Sequence, residues 1–296
     1  MGVGYQIQDR EIIDYELWSI SGGNANLRGP RPVFADRPYI VFTGAAQTFG
    51  RFVEKPFAEQ VGKLLEMPAL NLGLSGAGPE VFLQSEELKG VIAGAELHFC
   101  QVLSARSVSA GLFECQKNNG VLKFLAGKRA GEIMLAAQAF AVLRDEYGET
   151  AYREQIEASQ RAWVERYRKL LSARKSPTYL LWISTQPIGH VGESVGEGSP
   201  VGEFPHFVTP TMIDEISSDT NGVIDCAFTE MRPQPLRSSR TGHLTNAWRH
   251  IEFPGRAEHT RSFNVYYATP EHHELVVARV LRTLSGDERL TNRLDT

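Results

Sequence analysis

The sequence lacks the features of exported, membrane-spanning and zinc-stabilised proteins. Among 296 residues it has three cysteines, Cys100, Cys115 and Cys226. They show no CxxC spacing, which argues against both a secreted disulfide framework and a structural zinc site. No run of about 18 apolar residues occurs, and the polar N-terminus has no signal-peptide core. We therefore expect a cytoplasmic protein with reduced thiols and no membrane partner.

The charged residues form no stripe of one sign. The net charge is −4, and the longest basic patch, RAWVERYRKLLSARK over 161–175, reads as one face of an amphipathic helix. Without a basic footprint we expect no nucleic-acid partner. Apolar residues make up 42% and charged residues 22% of the chain. These proportions are typical of a globular protein with a sizeable core.

Short apolar runs alternate with helical patterns along the chain. Runs that are apolar throughout are typical of parallel strands buried on both faces. The pattern predicts an α/β fold, a flavodoxin-like three-layer sandwich with a parallel sheet of about five strands. The strand candidates are Tyr39–Thr43, Ala69–Leu72, Leu97–Leu103, Tyr179–Ser184 and Val223–Phe228. Helices are predicted after Pro56, over 81–95, around 132–147, over 152–171 and after Thr269.

The length allows two domains, but one α/β core with a long insertion fits equally well, and we favour one. The predicted organisation is a single domain over residues 1–296, with an irregular N-terminal extension over 1–38. Long loops rich in Gly and Pro, or in Arg and His, are expected over 186–210 and 231–261. The first loop directly follows a strand, and such loops are where parallel sheets bind ligands.

Three stretches resemble sequence blocks of SGNH hydrolases. They are FTGAAQTFG over 42–50, NLGLSGAGP over 71–79 and TPEHHE over 269–274. With GPRP before the first strand and QVLSARSVS after the third, nearly the whole chain is similar to an uncharacterised bacterial family, the domain of unknown function DUF6473. The resemblance implies an SGNH-like fold and ester chemistry. In that chemistry a serine attacks a carbonyl, a histidine takes its proton, and glycine N–H and asparagine groups bind the oxyanion.

The first two blocks depart from that pattern in part. Ala46 stands where the nucleophilic serine should be, and the nearest hydroxyl is that of Thr48. Thr48 is therefore the candidate nucleophile, or alternatively a residue that only braces the loop. Gly76 matches the oxyanion glycine, or only permits a tight turn. By their position in the first block, Gly44, Ala46 and Gln47 are candidate substrate-binding residues.

The third and last blocks depart further. The asparagine is missing, and Ser104 and Arg106 are candidate substrate-binding residues in its place. Arg106 could donate to an oxyanion or to a sulfate, phosphate or carboxylate, or it could be an ordinary surface arginine. His273 aligns best with the catalytic histidine, although Pro270 replaces the aspartate. The adjacent His272 is an alternative, and both could simply be surface residues.

Metal and nucleotide sites have less support. The C-terminal half is rich in histidine, but no HExxH or other ligand spacing occurs, so we expect no metal and no cofactor. The glycine-rich loop reads GLSGAG instead of GxGxxG, and a Walker A lysine is absent. The histidines of the C-terminal half are His190, His206, His243, His250, His259, His272 and His273.

Two functions follow from these residues. The first is an ester hydrolase or acyltransferase, for which the resemblance implies acylated carbohydrate as substrate. It would use Thr48 as nucleophile or an unusual water-based mechanism, His273 as base, and Gly76 and Arg106 as oxyanion donors. The second is a pseudohydrolase that binds a sugar or anionic ligand in the same cleft without turnover. Both predict a small-molecule or carbohydrate partner, and the sequence leaves the oligomeric state open.

Overall fold

The computed structural model describes residues 5–20, 26–33, 37–116, 120–172, 176–190, 201–228, 230–247 and 262–287. The strands in this part of the chain are β1 (Ile40–Gly44), β2 (Ala69–Gly73), β3 (Leu97–Gln101), β4 (Phe113–Gln116), β5 (Val121–Phe124), β6 (Ile133–Leu135), β7 (Thr178–Trp182), β8 (Gly222–Asp225), β9 (Gln234–Pro235) and β10 (Phe263–Asn264).

Helices fill most of the intervals between the strands. They are α1 (Tyr5–Gln8), α2 (Ala46–Phe49), α3 (Phe57–Leu64), α4 (Glu80–Gln84), α5 (Glu86–Ala93), α6 (Ala136–Val142), α7 (Glu149–Ser172), α8 (Pro210–Ser217) and α9 (Pro270–Ser285). None of the helices described here is long and apolar enough to cross a membrane.

The central sheet has five parallel strands in the order β2-β1-β3-β7-β8. All five predicted strands are confirmed, and so is the flavodoxin-like order. Because the strands are parallel, their C-terminal ends lie at one edge of the sheet. Loops that follow β1, β2, β3 and β7 therefore meet there.

The sheet is covered on both faces, as the continuously apolar strands predict. Val41 and Leu180 point into one apolar cluster, which also contains Trp163 of α7. Phe42 and Tyr179 point into the opposite cluster, which is closed by α3 and α9. This arrangement confirms the three-layer sandwich.

An antiparallel sheet of three strands, β4-β5-β6, was not expected from the sequence. The helix predicted around 132–147 begins only at Ala136, because Ile133–Leu135 pair with β5. The helix predicted over 81–95 is divided at Ser85, whose backbone is extended and whose hydroxyl caps α5 by accepting from the Leu88 N–H.

The N-terminal extension is tied to the core by a buried ion pair. Arg51 donates from Nε and Nη2 to the two carboxylate oxygens of Asp9, at 2.7 and 3.1 Å. Tyr15 also donates to Asp9. The single-domain organisation stays a prediction, and parts of the two predicted long loops, 191–200 and 248–261, lie outside the described residues.

Candidate functional site

A small cavity lies at the C-terminal edge of the central sheet, where the parallel topology predicts a ligand site. Its volume is about 110 Å³. Its lining comes from the loops after β1, β2 and β3, from α6 and the residue before it, and from residues 120, 204 and 266–267. The lining residues are Ala45, Ala46, Gln47, Ser75, Gly76, Ala77, Ser104, Arg106, Ser107, Gly120, Leu135, Ala136, Ala137, Phe204, Tyr266 and Tyr267.

Arg106 places a positive charge on the wall of this cavity. Its side chain is partly buried, and its buried Nε atom has no hydrogen-bond partner among the described residues. No carboxylate among the described residues forms an ion pair with it. Burial lowers the pKa of Arg106, but a guanidinium remains charged at neutral pH. The cavity therefore contains a cation whose charge no described residue neutralises.

Tyr266 lines the cavity close to Arg106 and stays protonated. Burial is the main cause that raises the pKa of Tyr266 to about 12. A protonated phenol does not compensate the charge of Arg106. Tyr267, its neighbour on the cavity wall, accepts a hydrogen bond from Arg51 Nη1 at 3.1 Å, which links the cavity wall to the buried ion pair of the N-terminal extension.

Ser104, in the loop after β3, lines the cavity and is paired with a buried histidine. Its Oγ lies 2.7 Å from Nδ1 of His206 and accepts from the His206 backbone N–H at 3.2 Å. The His206 carbonyl accepts from the Ala105 N–H at 2.9 Å. Two backbone bonds and one side-chain bond thus fix the histidine against the strand end.

The charge state of His206 follows from its surroundings. Burial, and secondly the nearby Arg106, hold the pKa of His206 well below its usual value. The imidazole is therefore neutral at neutral pH. A neutral ring keeps one nitrogen free to accept a proton.

The turn after β1 holds Thr48 away from the cavity. Thr48 is fully buried, and its hydroxyl donates to Gln101 Oε1 at 2.7 Å. The same oxygen accepts from the Ala45 N–H at 2.9 Å. A Cβ atom at Gly44 would lie only 1.9 Å from Thr48 Oγ1, so glycine is required for this close packing. These contacts favour the loop-bracing alternative for Thr48.

His273 is buried in the apolar layer between α3 and α9. Its Nδ1 accepts from the Phe57 N–H at 2.9 Å, and its Nε2 has no hydrogen-bond partner in the part of the chain that the structure describes. Burial lowers the pKa of His273 to about 3, so the ring is neutral. Because the backbone N–H occupies the Nδ1 lone pair, the ring proton lies on Nε2. This histidine has no free lone pair with which to act as a base.

His272 shapes the start of α9. Its Nδ1 accepts from the Thr269 N–H at 3.1 Å, and its ring stacks on Phe228 at 3.8 Å between centroids. Its Nε2 lies 3.0 Å from the Glu230 carbonyl oxygen, to which it donates in this tautomer. Both ring nitrogens are thus occupied by hydrogen bonds to backbone groups. The idea of an exposed histidine pair is wrong, because His272 and His273 are both buried.

The structure divides the predicted site residues into two groups. Five of them line the cavity: Ala46, Gln47, Gly76, Ser104 and Arg106. The other four, Gly44, Thr48, His272 and His273, are not on its wall. The roles proposed for all nine stay predictions.

Sequence reasoning missed the contribution of His206 and of the two tyrosines. The signal for His206 was available in part, because its loop follows β7, the neighbour of β3 in the predicted order. For Tyr266 and Tyr267, which precede α9, no motif pointed to the cavity.

The described residues contain no group of three or more His, Cys, Asp or Glu side chains that could hold a metal ion. Of the histidines considered as ligands, His250, His259 and the side chain of His190 lie outside the described part of the chain.

Solved structures of two ester-cleaving enzymes are similar to this chain at low identity. The lipase Lip_vut3 from a goat rumen metagenome is 10% identical, with 83% of this chain and 96% of that chain covered and a TM-score of 0.42. The acetylxylan esterase Axe2 from Geobacillus stearothermophilus is 10% identical, with 83% and 93% covered and a TM-score of 0.39. Similarity at this level carries no conclusion about activity.

No curated protein matches the chain. The family described as a domain of unknown function, DUF6473, matches residues 3–123 and 144–264, which together make up most of the sequence. This protein therefore belongs to the DUF6473 family.

Proposed function

We propose that the cavity at the C-terminal edge of the sheet binds a small anionic ligand. The observation that supports this proposal is Arg106, a charged guanidinium on the cavity wall without a carboxylate partner among the described residues. Holding an unpaired charge in a partly buried place costs free energy, which an anion would recover. The proposal develops the binding function predicted from the sequence.

The size and lining of the cavity suit the charged end of a ligand. At about 110 Å³ it is smaller than pockets that enclose whole drug-sized molecules, which measure roughly 300–1,000 Å³. A carboxylate, sulfate or phosphate group fits this space, and guanidinium binds such groups through two parallel hydrogen bonds. Ser75 and Ser107 supply hydroxyl groups on the same wall. An acidic sugar would place its carboxylate here and its ring outside.

Hydrolysis by Thr48 and His273 has less support. Thr48 donates to an amide oxygen, which cannot take up a proton, and His273 keeps its proton on Nε2. Neither side chain lines the cavity. The contacts of both residues are those of a packed interior.

The experiment that tests the proposal measures anion binding by thermal unfolding and calorimetry. The probes are sulfate, phosphate and glucuronate, with glucose as the uncharged sugar and sodium chloride at matched ionic strength as the salt control. We expect a saturable rise in unfolding temperature with at least one anion, since a ligand that binds only the folded state stabilises it. The Arg106→Gln variant should lose this saturable rise, and Arg106→Lys should retain part of it.

Arg153→Gln is the matched control, because Arg153 is an exposed arginine on α7. It should bind anions as the unchanged protein does. Equal stabilisation of the unchanged protein and Arg106→Gln by every anion would refute the proposal. Sulfate also stabilises proteins without binding to a site, and the comparison of the two variants removes this general effect.

A further inference from the structure

From the distance of 2.7 Å between Ser104 Oγ and His206 Nδ1, we infer that these two residues form a nucleophile and base for acyl transfer. A serine becomes nucleophilic when a neighbouring base can take its proton at hydrogen-bond distance. Ser104 lines the cavity, and His206 lies directly behind it. The site would thus cleave a small ester without a serine at position 46.

Ser104 and Thr48 differ in the group that lies next to the hydroxyl and could accept its proton. Thr48 donates to the amide oxygen of Gln101, which remains neutral when a proton is offered. Ser104 lies against Nδ1 of the His206 imidazole, which accepts a proton when the neutral ring carries its hydrogen on Nε2. Of the two hydroxyls, that of Ser104 is the one that combines a base with access to the cavity.

The chain holds His206 rigidly in this position. Ser184 Oγ donates to the Phe204 carbonyl at 2.7 Å, and Gln160 Nε2 donates to the Phe207 carbonyl at 2.9 Å. Contacts on both sides of His206 thus anchor its loop to the segment after β7 and to α7. Catalytic pairs need such support, because small displacements of the reacting atoms cost rate.

The inferred reaction has two steps. In the first, Ser104 Oγ attacks the ester carbonyl carbon while His206 Nδ1 takes the hydroxyl proton. The C–O bond to the alcohol breaks, and the alcohol leaves with the proton from Nδ1. In the second step water attacks the acyl-serine, gives a proton to Nδ1, and the released serine oxygen takes it back. Arg106 is placed to stabilise the negative charge of the intermediates.

The preferred substrate follows from the cavity. A volume of about 110 Å³ admits a short acyl group such as acetyl. This part of the inference rests on the proposed function: the same arginine would also favour substrates that carry a carboxylate or sulfate near the ester. A bound anion at Arg106 would in addition remove a charge that disfavours the protonated His206.

The test is turnover of two aryl esters by the purified full chain, together with labelling by a fluorophosphonate probe. The esters are para-nitrophenyl acetate, which is neutral, and para-acetoxybenzoate, which is anionic. We expect turnover, and a label that peptide mass spectrometry locates on Ser104. Ser104→Ala and His206→Asn should each lower turnover by about 100-fold or more, the usual contribution of a nucleophile's base.

His206→Asn is the sharper variant, because the asparagine oxygen can accept from Ser104 but cannot take up a proton. This variant can keep a hydrogen bond to Ser104 Oγ, but it removes the group that takes up the proton. Ser218→Ala and His243→Asn are the matched controls, since both residues are exposed. Circular dichroism and the unfolding midpoint verify that each variant is folded.

The outcomes separate this inference from the proposed function. No turnover and no label, retained turnover in Ser104→Ala, or loss of turnover in Thr48→Val alone would each overturn the catalytic pair. If sulfate or glucuronate still binds through Arg106 in those cases, the proposed function survives. If turnover depends on Ser104 and His206 but no anion binds, the anion site fails and the catalytic pair stands.

Discussion

The buried His273 predicts how the stability of this protein changes with pH. Burial lowers its pKa to about 3, whereas the ordinary value in an unfolded chain is 6.5. Above pH 6.5 the residue is neutral in both states. As the pH falls below 6.5, the unfolded chain takes up a proton that the folded chain does not. The free energy of unfolding therefore decreases between pH 6.5 and about 3.

The size of the effect follows from the two pKa values. One proton bound only by the unfolded state lowers the free energy of unfolding by about 1.4 kcal/mol for each pH unit. Between about pH 7 and about pH 5 the loss from this residue is therefore about 2 kcal/mol. Other buried histidines and the carboxyl groups add their own dependence, so the contribution of His273 is measured as a difference between variants.

The perturbation is His273→Asn, whose side-chain oxygen can still accept from the Phe57 N–H. The assay is urea unfolding at several pH values from 5 to 8, followed by fluorescence. We expect the variant to be less stable at neutral pH, because the ring packed on Phe57 is lost. Its stability should then fall by about 2 kcal/mol less than that of the unchanged protein on acidification. The exposed His243→Asn is the control, and parallel curves for His273→Asn and the unchanged protein would refute the buried neutral histidine.

Two further predictions concern packing and the buried ion pair. A Cβ atom at Gly73 would lie 2.1 Å from the Phe49 backbone nitrogen, so Gly73→Ala should lower the free energy of unfolding by about 2 kcal/mol or more, measured by urea unfolding. Gly90→Ala, in α5, should instead raise it by about 0.5–1 kcal/mol, because the added carbon would meet no described atom within 4 Å beyond its own stretch of helix. Asp9→Asn should cost about 3–5 kcal/mol because it leaves the Arg51 charge buried without its partner. Glu149→Gln, at an exposed pair with Arg153, should change stability by less than about 1 kcal/mol, and equal losses in the two variants would contradict the burial of the Asp9 pair.

The central sheet could be predicted because its strands are buried on both faces. Ile40–Gly44 and Thr178–Trp182 are buried at every position, so their sequences are mostly apolar and stand out from the helices. The antiparallel strands β4 to β6 could not be predicted in the same way. They have three or four residues each and mix buried with exposed positions, and Ile133 and Leu135 are exposed apolar residues. The last of them, Ile133–Leu135, runs directly into α6, so in the sequence its apolar residues look like the first turn of that helix.

The sequence could predict only which residues follow the C-terminal ends of the parallel strands and therefore come together there. Ala46, Gly76 and Arg106 follow β1, β2 and β3, so the parallel topology brings them to the cavity. The direction of a side chain within a turn is not set by topology. Thr48 lies in the same turn as Ala46, yet it points to Gln101, whose role only the structure reveals. Ser104 and His206 are 102 positions apart in the sequence, so no local spacing of residues predicts their contact.

The side-chain amide of Gln101, which holds the turn after β1, also explains why the inferred nucleophile lies after β3. Gln101 Oε1 accepts from both Ala45 N–H and Thr48 Oγ1, and the space beside Gly44 is filled. The hydroxyl of Thr48 is therefore held by this packing, and the residues of the turn that line the cavity, Ala45, Ala46 and Gln47, carry no hydroxyl or thiol. Ser104 lies three residues beyond Gln101, past the end of the central strand, with an imidazole behind it and Arg106 on the same wall. The inferred nucleophile therefore lies in the loop after β3, on the cavity that Arg106 also lines, and not in the turn after β1.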